Sequence, residues 1–521
     1  MSTYAKMKKR RDKWRRKTVE ANAKVRYQRR EIKRLKKERD RQKHALRKAE
    51  QALEDERRKA PRAVGDKPGL VFLALQLFLV ARIGFRAVSR VLAVLAPGLG
   101  LAKTPCPQTI VNWVTRLSLA RMSGCLSPAH GGVPRFPGGF ILLLDASIGL
   151  GQGKILTVLA LDAGHHRLHQ GAPTLQHLTC AAVAVAETWT GESIADLLRG
   201  VIAQIGTPLA YLKDGGTDLG KAVRLLNEPG GGGVSIGDLS HFVANLLKHV
   251  FENHPQFGVF LRACGAVSKR FKQSILAALA PPKVSTKARF MNLLRLVQWA
   301  DRLLKHSPRG RAANGSLLQK LRERLDRLPL CRRFVKDFLG NAEPLIECQK
   351  ILKTRGLSQK SYEECRSIVA TIPHPVIRSR FLAWLDDHLA IAYTLGLEGV
   401  GLPISSDSIE SLFGVAKHHG TGEIKDANRI AMRIPALCAV PTRQEAENVL
   451  RISVKEQQQS VGSLPSLTRQ RRDVLTEGGC LESIQNNAAQ PNVRLIAGSK
   501  SAQKCNHLID NTIFSVNGGD P

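Results

Sequence analysis

Three acidic residues stand where a carboxylate has little structural reason to be. Asp145 ends the apolar run FILLLDAS, Asp214 ends LAYLKDGG, and Glu410 lies in SSDSIESLFGVAK. A buried carboxylate is costly unless it is paired or bound to a metal. Mg²⁺, for which Mn²⁺ can substitute, prefers carboxylate and phosphate oxygens and needs few protein ligands, because water and substrate complete its octahedron. Since two such ions stabilise the entering and leaving oxygens of a phosphodiester, the three acids predict a phosphoryl-transfer site.

The second of these acids has two alternatives. Asp218 follows Asp214 by four residues, where it fits the cap or the surface of the next helix, and Asp238 lies in GDLSHF. A single Asp at a strand end is a turn or cap residue more often than a metal ligand. The order of the acids along one fold favours Asp145, Asp214 and Glu410 as the catalytic metal ligands. Asp218 and Asp238 stay open as replacements for Asp214.

Two cationic side chains accompany the acids. Glu410 and Lys417 are seven residues apart in one helix, so both project from about the same face. A cation beside a metal-binding carboxylate suits a site that holds a phosphate, and a chance surface spacing is the alternative interpretation. His241 begins the helix of DLSHFVANLLK, where it would contact the scissile phosphate or form a hydrogen bond in the core.

The charge of the chain indicates a polyanionic partner. Lys and Arg number 80 against 43 Asp and Glu among 521 residues, a formal net charge of +37. Neutralising phosphates releases condensed counterions, so DNA is the expected partner and an acidic membrane surface the competing one. Residues 1–60 hold 25 Lys and Arg against nine Asp and Glu, with no Gly or Pro. They predict a basic helical arm over 1–62 that is simply solvated, clamps the DNA backbone or forms a weak dimeric coiled coil.

Cysteine usage and hydropathy predict a soluble intracellular protein. The ten cysteines show no CxxC and no regular Cys/His spacing, which favours reduced thiols over disulfides or a zinc knuckle. The longest early apolar run, residues 69–81, is too short to span a bilayer and predicts a buried helix instead.

Residues 67–125 predict a helix-turn-helix module. Two short apolar helices and a glycine-containing connection precede PQTIVNWVTRLSLAR, in which Pro107 can start a helix. Four side chains of this last helix are expected to face outward and bind base edges or phosphates: Gln108, Thr109, Asn112 and Arg116. A plain three-helix packing module is the alternative.

From residue 138 the pattern changes to short apolar strands. The runs FILLLDAS, ILTVLALDAG and LTCAAVAVAETW precede alternating helices and strands, in the order β-β-β-α-β-α-β-α. This order is typical of the RNase H-like fold, so the predicted class is α/β with an RNase H-like mixed sheet. Residues 138–254 would form the first part of the catalytic core, 255–400 an α-helical insertion, and 401–454 the closing Glu helix. Residues 455–521 are polar and are expected to form a flexible tail.

Over about residues 67–250 and 400–440, the chain resembles DDE transposases of bacterial insertion sequences. The resemblance lies in LLLDAS, YLKDGGTDL, GDLSHFVANLLK and SDSIESLFGVAK, preceded by FRAVSRVLAVL and PQTIVNWV. It implies that Asp145 bridges two metal ions, that Asp214 and Glu410 each complete one shell, and that Lys417 contacts DNA. One departure is that Glu410 follows Asp214 by 196 residues, which requires the helical insertion.

The resemblance also implies an activity, partners and a location. The protein would bind element ends, hydrolyse one strand and use the 3′-hydroxyl to attack target DNA. A homodimer or larger assembly is expected because two ends must be paired, and the location would be the bacterial cytoplasm, at the nucleoid. The alternatives are an RNase H-like nuclease or resolvase, and a catalytically inactive DNA-binding protein derived from a transposase.

Overall fold

The fold is described from a computed structural model of the chain. The described residues are 3–59, 66–101, 103–126, 136–147, 153–169, 172–228, 232–284, 289–305, 311–418, 426–460 and 494–495. Most of the predicted tail, residues 461–493 and 496–521, therefore lies outside the described residues.

The chain is mainly helical, with one sheet near its middle. The strands are β1 (Phe140–Ser147), β2 (Lys154–Asp162), β3 (Leu178–Ala186), β4 (Ala210–Lys213), β5 (Val234–Gly237) and β6 (Arg494–Leu495). The helices are α1 (Thr3–Lys59), α2 (Lys67–Leu79), α3 (Phe85–Leu99), α4 (Pro107–Leu126), α5 (Ala163–His169), α6 (Gly191–Ile205), α7 (Thr217–Asn227), α8 (Leu239–Phe251), α9 (Phe257–Lys272), α10 (Arg289–Lys305), α11 (Leu317–Arg324), α12 (Arg332–Arg355), α13 (Gln359–Val369), α14 (Pro375–Thr394), α15 (Asp407–His418), α16 (Ala427–Ala431), α17 (Arg443–Arg451) and α18 (Val454–Gln459).

The sheet has the order β5-β4-β1-β2-β3-β6. β1, β2 and β3 form an antiparallel meander, whereas β4 pairs parallel to β1 and β5 parallel to β4. A three-stranded meander extended by two parallel crossover strands is the RNase H-like arrangement. The predicted fold class is therefore confirmed by the strand order.

The sheet is buried on both faces, which explains its nearly continuous apolar strands. Leu142 and Leu144 of β1 pack with α6 and α7 on one face. Ile141 and Leu143 belong to the core of the opposite face, which continues through α4 and α8 into the insertion. A polar residue at the end of such a strand is therefore held by a rigid support.

The insertion consists of α9 to α14 and returns to the sheet through a close backbone contact. Leu357 and Leu402 exchange two backbone hydrogen bonds of 2.9 Å each. Gly401 has a φ of +111°, and a Cβ there would lie 2.2 Å from the carbonyl oxygen of Arg355. Only glycine fits this crossing, which brings the chain back ahead of α15.

The C-terminal helices are fastened to α4. Arg121 forms a bidentate ion pair with Glu445 of α17, at 2.7 Å and 3.0 Å, and donates to the carbonyl oxygen of Ala436 at 2.7 Å. The Arg121 side chain is only 9% exposed. Removing one partner of this largely desolvated ion pair would therefore cost far more stability than removing one partner of an exposed ion pair.

Two sequence-based boundaries differ from the packing. The module predicted to end at residue 125 does not separate from the core, because Leu119 and Met122 of α4 join the core beneath the sheet. The described residues from Val71 to Pro97 and from Leu101 onward belong to one compact unit. The flexible tail predicted from residue 455 does not begin there, because α18 continues to Gln459 and contacts α4. Both differences have the same cause. An apolar helix face predicts that the helix packs against another element, but it does not identify that element.

α1 is a single helix of 57 residues, described by itself. Its described side chains are almost all exposed, including the apolar Trp14 and Leu35. Within the described ranges, no helix is both long enough and apolar enough to cross a membrane. The seven cysteines whose side chains are described are all free thiols.

Candidate active site

The ends of three adjacent parallel strands carry aspartates. In the register of the sheet, Leu144 of β1 is aligned with Lys213 of β4, and Lys213 with Gly237 of β5. The next residue in each case is an aspartate: Asp145, Asp214 and Asp238. Because the carboxyl ends of parallel strands meet at one edge, the sheet itself brings these residues together.

Asp238 is engaged within the protein. Its Oδ1 accepts hydrogen bonds from the backbone N and the Nδ1 of His241, at 2.8 and 2.9 Å, and caps α8. Its Oδ2 accepts from the backbone N and the Oγ of Ser406, at 2.7 and 2.9 Å. Burial alone would raise the pKa of Asp238, but the bonds from His241 and Ser406 outweigh it and lower the pKa. With its acceptor positions used, Asp238 is a structural anchor.

Asp214 and Asp218 occupy different surroundings. Asp214 is half-buried and accepts a hydrogen bond of 2.9 Å from the backbone N of Gly216. Its charge acts on Asp145 of the neighbouring strand. Asp218 lies exposed in the first turn of α7, as expected for a residue at a helix start. The geometry therefore favours Asp214 over both alternatives.

Asp145 is the centre of a carboxylate cluster, defined here as Asp145, Asp214 and Glu410. Burial is the main cause that raises the pKa of Asp145 to about 7, and the charges of Asp214 and Glu410 raise it further. The charge of His241 acts in the opposite direction. Like charges held this close are a cost in the absence of a cation, and clusters of this kind are common at functional sites.

His241 carries a positive charge next to this cluster. Its hydrogen bond to Asp238 is the largest cause that raises its pKa to about 9; burial opposes the shift, and the charges of Asp238, Asp214 and Glu410 add to it. The side chain is 28% exposed. At neutral pH the ring is therefore an imidazolium, oriented by Asp238 and available to a phosphate.

Glu410 reaches the cluster from α15 and is exposed at the surface. Partial burial of its carboxyl group is the main cause that raises its pKa. Lys417 lies two turns later, with its Nζ 5.8 Å from the centroid of the Phe413 ring. Burial lowers the pKa of Lys417, while the charge of Asp145 opposes that shift. The structure thus brings Glu410, Lys417 and Asp145 into one electrostatic neighbourhood.

The donor set suits a hard divalent cation. All three cluster residues offer carboxylate oxygens, and Thr157, opposite Asp145 on β2, buries an Oγ1 that has no hydrogen-bond partner. Among the described residues, no group of three or more His, Cys, Asp or Glu surrounds a single point where an ion would sit. A pair of ions would need only two carboxylates each, because water and phosphate oxygens supply the remaining ligands.

Sequence reasoning missed a residue of the insertion that reaches the Glu helix. Lys353, near the end of α12, places its Nζ 2.6 Å from Oδ2 of Asp407 in the first turn of α15. The Oγ of Ser240 on α8 lies 3.4 Å from the other oxygen of Asp407. Nothing in the local pattern around Lys353 signals this contact. The role of Asp238 did have a signal, because an Asp three residues before a helical His fits an N-cap.

The residues predicted to contact DNA on α4 form a polar row. Gln108 donates to Oδ1 of Asn112 at 3.1 Å, and Gln457 of α18 donates to the same atom at 3.0 Å. Arg116 donates from Nε to Oε1 of Gln457 at 2.9 Å. Thr109 contacts Sγ of Cys106. The face expected to be open is thus partly engaged by the C-terminal helix.

Comparison with known proteins finds similarity only among solved structures. No protein-family model and no curated protein matches the sequence. The chain is similar to a Drosophila P element transposase in a strand transfer complex, at 12% identity and a TM-score of 0.41, over 76% of this chain and all of that one. Because a TM-score this low does not establish a common fold by itself, the fold assignment rests on the strand order.

Proposed function

We propose that the protein is a DNA transposase, a polynucleotidyl transferase that cuts DNA and joins the 3′-hydroxyl to a target. The observation that carries this proposal is the alignment of Asp145 and Asp214 at one edge of the parallel strands β1 and β4, where the charge of Glu410 from α15 also acts. A carboxylate cluster at the edge of an RNase H-like sheet, flanked by the cations His241 and Lys417, is suited to phosphodiester chemistry. The net charge of +37 supports DNA as the substrate.

Asp145, Asp214 and Glu410 would be the protein ligands of two Mg²⁺ ions. When bound, the ions would supply stabilisation of the charge that builds on the entering and leaving oxygens. Mn²⁺ offers similar octahedral oxygen coordination and is the expected substitute.

The cationic residues would act on the phosphate directly. His241, kept protonated by Asp238, can donate from Nε2 to a non-bridging phosphate oxygen. Lys417 adds a second positive charge on the Glu410 side of the cluster. Together they would hold the scissile phosphodiester between the two sides of the site and so reduce its freedom before attack.

The finer assignments belong to the same proposal. The DDE type and the insertion-sequence origin are supported by the order Asp145, Asp214, Glu410 and by the preceding helices α2 to α4. DNA would be contacted through Gln108, Thr109, Asn112 and Arg116, with α1 as an additional basic arm. A homodimer or larger assembly on DNA follows from the need to pair two ends, in the bacterial cytoplasm at the nucleoid.

The test is a strand-transfer assay with the full chain, Mg²⁺ and DNA that carries the sequences flanking its gene. Joined products are expected. Asp145→Asn should lower cleavage by about 1,000-fold or more, since loss of a metal ligand removes several kcal/mol of transition-state stabilisation, while DNA affinity is retained. Asp218→Asn is the matched control and should keep its activity, because Asp218 is exposed on α7.

The other outcomes identify the alternatives. Nicks without joined products would assign a nuclease or resolvase, and DNA binding without cleavage would assign an inactive DNA-binding derivative. Equal losses in Asp145→Asn and Asp218→Asn would overturn the assignment of the carboxylate cluster as the catalytic centre.

A further inference from the structure

A groove of about 900 Å³ separates α3 and α4 from α16 and α18. It is called the α3–α18 groove below, and it does not include the carboxylate cluster. Its described lining contains four arginines and no carboxylate: Arg86, Arg90, Arg429 and Arg433. Four side-chain amides complete its polar lining: Gln108, Asn112, Asn428 and Gln457. A concave surface of this charge is complementary to a polyanion.

The arginines occupy both walls of the groove. Arg86 and Arg90 are exposed and four residues apart on α3, so they lie on one face of that helix. On the opposite wall, the guanidinium of Arg433 stacks at 5.0 Å over the ring of Phe85, and Arg429 lies 3.9 Å from Asp426. The Arg429 side chain remains 60% exposed. Arg433 itself is buried, so the accessible positive charge comes from Arg86 and Arg90 on one wall and from Arg429 on the other, which suits an extended backbone.

The floor of the groove is fixed by the contact between α4 and α18. Asn112 accepts from both Gln108 and Gln457, and Gln457 accepts from Arg116. These bonds hold α18 in place as one wall of the groove. They also occupy the side-chain oxygens of Asn112 and Gln457, which base edges would otherwise contact. α4 is also packed against the sheet core through Leu119, so it does not stand free to enter a major groove as an isolated helix.

We propose that the α3–α18 groove binds the phosphate backbone of DNA, with α18 as a permanent wall of the binding surface. The inference rests on the proposed function only in taking DNA as the polyanion. Contacts of this kind position a duplex without reading its sequence. The region predicted to read bases would then act mainly by holding the backbone beside the catalytic unit.

The first test is the salt dependence of DNA affinity for the full chain, measured by fluorescence anisotropy with a labelled duplex and no divalent metal. Arg86→Ala/Arg90→Ala should reduce the slope of log Kobs against log salt concentration by about 2, and affinity at about 0.1 M salt by roughly 10- to 100-fold. The double variant Arg366→Ala/Arg380→Ala removes two exposed arginines of α13 and α14 and should leave the slope unchanged. Equal slopes in both variants would overturn the proposal.

A second test asks whether α18 forms a wall of the DNA-binding groove or covers the groove and competes with DNA. If α18 is a wall, Gln457→Glu places a carboxylate in the groove and should weaken binding several-fold, whereas Gln457→Ala changes it little. Tighter binding by Gln457→Ala would mean that α18 competes with DNA, and would overturn the wall assignment. A duplex RNA of equal length that binds more tightly than the DNA would reassign the partner.

A third test uses Cys106, which is exposed at the groove. Bound DNA should slow alkylation of Cys106 by N-ethylmaleimide several-fold, quantified by mass spectrometry of its peptide. Alkylation at an unchanged rate under saturating DNA would contradict the proposal. These measurements need no catalysis, so the groove can fail while metal-dependent cleavage succeeds, and the reverse outcome is equally visible.

Discussion

The aspartates and the glutamate of the carboxylate cluster are positioned by different kinds of structure. Asp145 and Asp214 follow the aligned residues of two hydrogen-bonded parallel strands, so their separation is set by the sheet register. Glu410 lies 196 residues beyond Asp214 and is positioned by contacts between distant segments. Those contacts are the Asp238–Ser406 bonds, the Leu357–Leu402 bridge and the Lys353–Asp407 ion pair.

This comparison shows where the site is robust and where it is vulnerable. A strand register is maintained by many cooperative backbone bonds, and changing one side chain leaves it intact. The Glu410 side depends on a few contacts between distant segments, and a substitution can remove those made by the side chains of Asp238 and Lys353. We therefore expect a substitution at a residue that anchors α15 to disturb the geometry of the site more than a substitution of similar size in β1 or β4.

The largest expected effect on stability follows from Asp238→Asn. The amide cannot accept all four hydrogen bonds, so at least one buried donor of His241 or Ser406 loses its partner. The free energy of unfolding should fall by about 3 kcal/mol in urea denaturation. Because the largest cause of the raised pKa of His241 is weakened, cleavage should also be lost at a lower pH on the alkaline side than in the wild type.

Ser406→Ala is the matched control for Asp238→Asn. It removes one hydroxyl bond but keeps the backbone N–H that donates to Asp238, so a loss of about 1 kcal/mol is expected. Similar losses in the two variants would show that Asp238 is not the principal anchor of the Glu410 side.

A smaller and opposite effect is expected from Asp145→Asn in the metal-free protein. The pKa of Asp145 is raised from an ordinary value near 3.8 to about 7, so the folded state binds more protons than the unfolded state between these values. The free energy of unfolding of the wild type should therefore fall as the pH rises from about 4 to about 7. At pH 8 in EDTA, Asp145→Asn should be more stable by on the order of 2 kcal/mol.

Thermal denaturation across pH measures this difference. The exposed Glu410 serves as the comparison, and Glu410→Gln should change stability by less than about 0.5 kcal/mol. Mg²⁺ should raise the Tm of the wild type but not that of Asp145→Asn. A flat difference between wild type and Asp145→Asn from pH 4 to pH 8 would contradict the raised pKa.

The smallest expected effect concerns the contact of the insertion with α15. Lys353→Met removes the ion pair with Asp407, whose side chains are 30% and 48% exposed, so a loss of about 0.5 kcal/mol is expected. Cleavage should fall only about threefold. Lys350→Met is the matched control: Lys350 is exposed on the same helix, so the cleavage rate of this variant should stay near that of the wild type. A decrease above tenfold would indicate that Lys353 contacts the DNA itself.

Much of the sheet region could be predicted because its signals are local. Five strands, the helices between them and the helix of Glu410 follow from apolar runs and helical spacing. The distinction among Asp214, Asp218 and Asp238 could be predicted only in part, from the N-cap pattern at Asp238. All three follow or begin regular elements, and only the tertiary structure shows that Asp238 is used by His241 and Ser406.

The sequence alone determined the fold class, the strongly basic character and the candidate acids, because each is encoded in composition or in spacing along one element. The tertiary structure decided how α4 and the C-terminal helices combine, and how the chain closes between Asp214 and Glu410. The glycine crossing at Gly401 and the bonds of Gln457 join segments that are distant in sequence. Such contacts depend on packing among whole elements, which leaves no periodic signal in either partner.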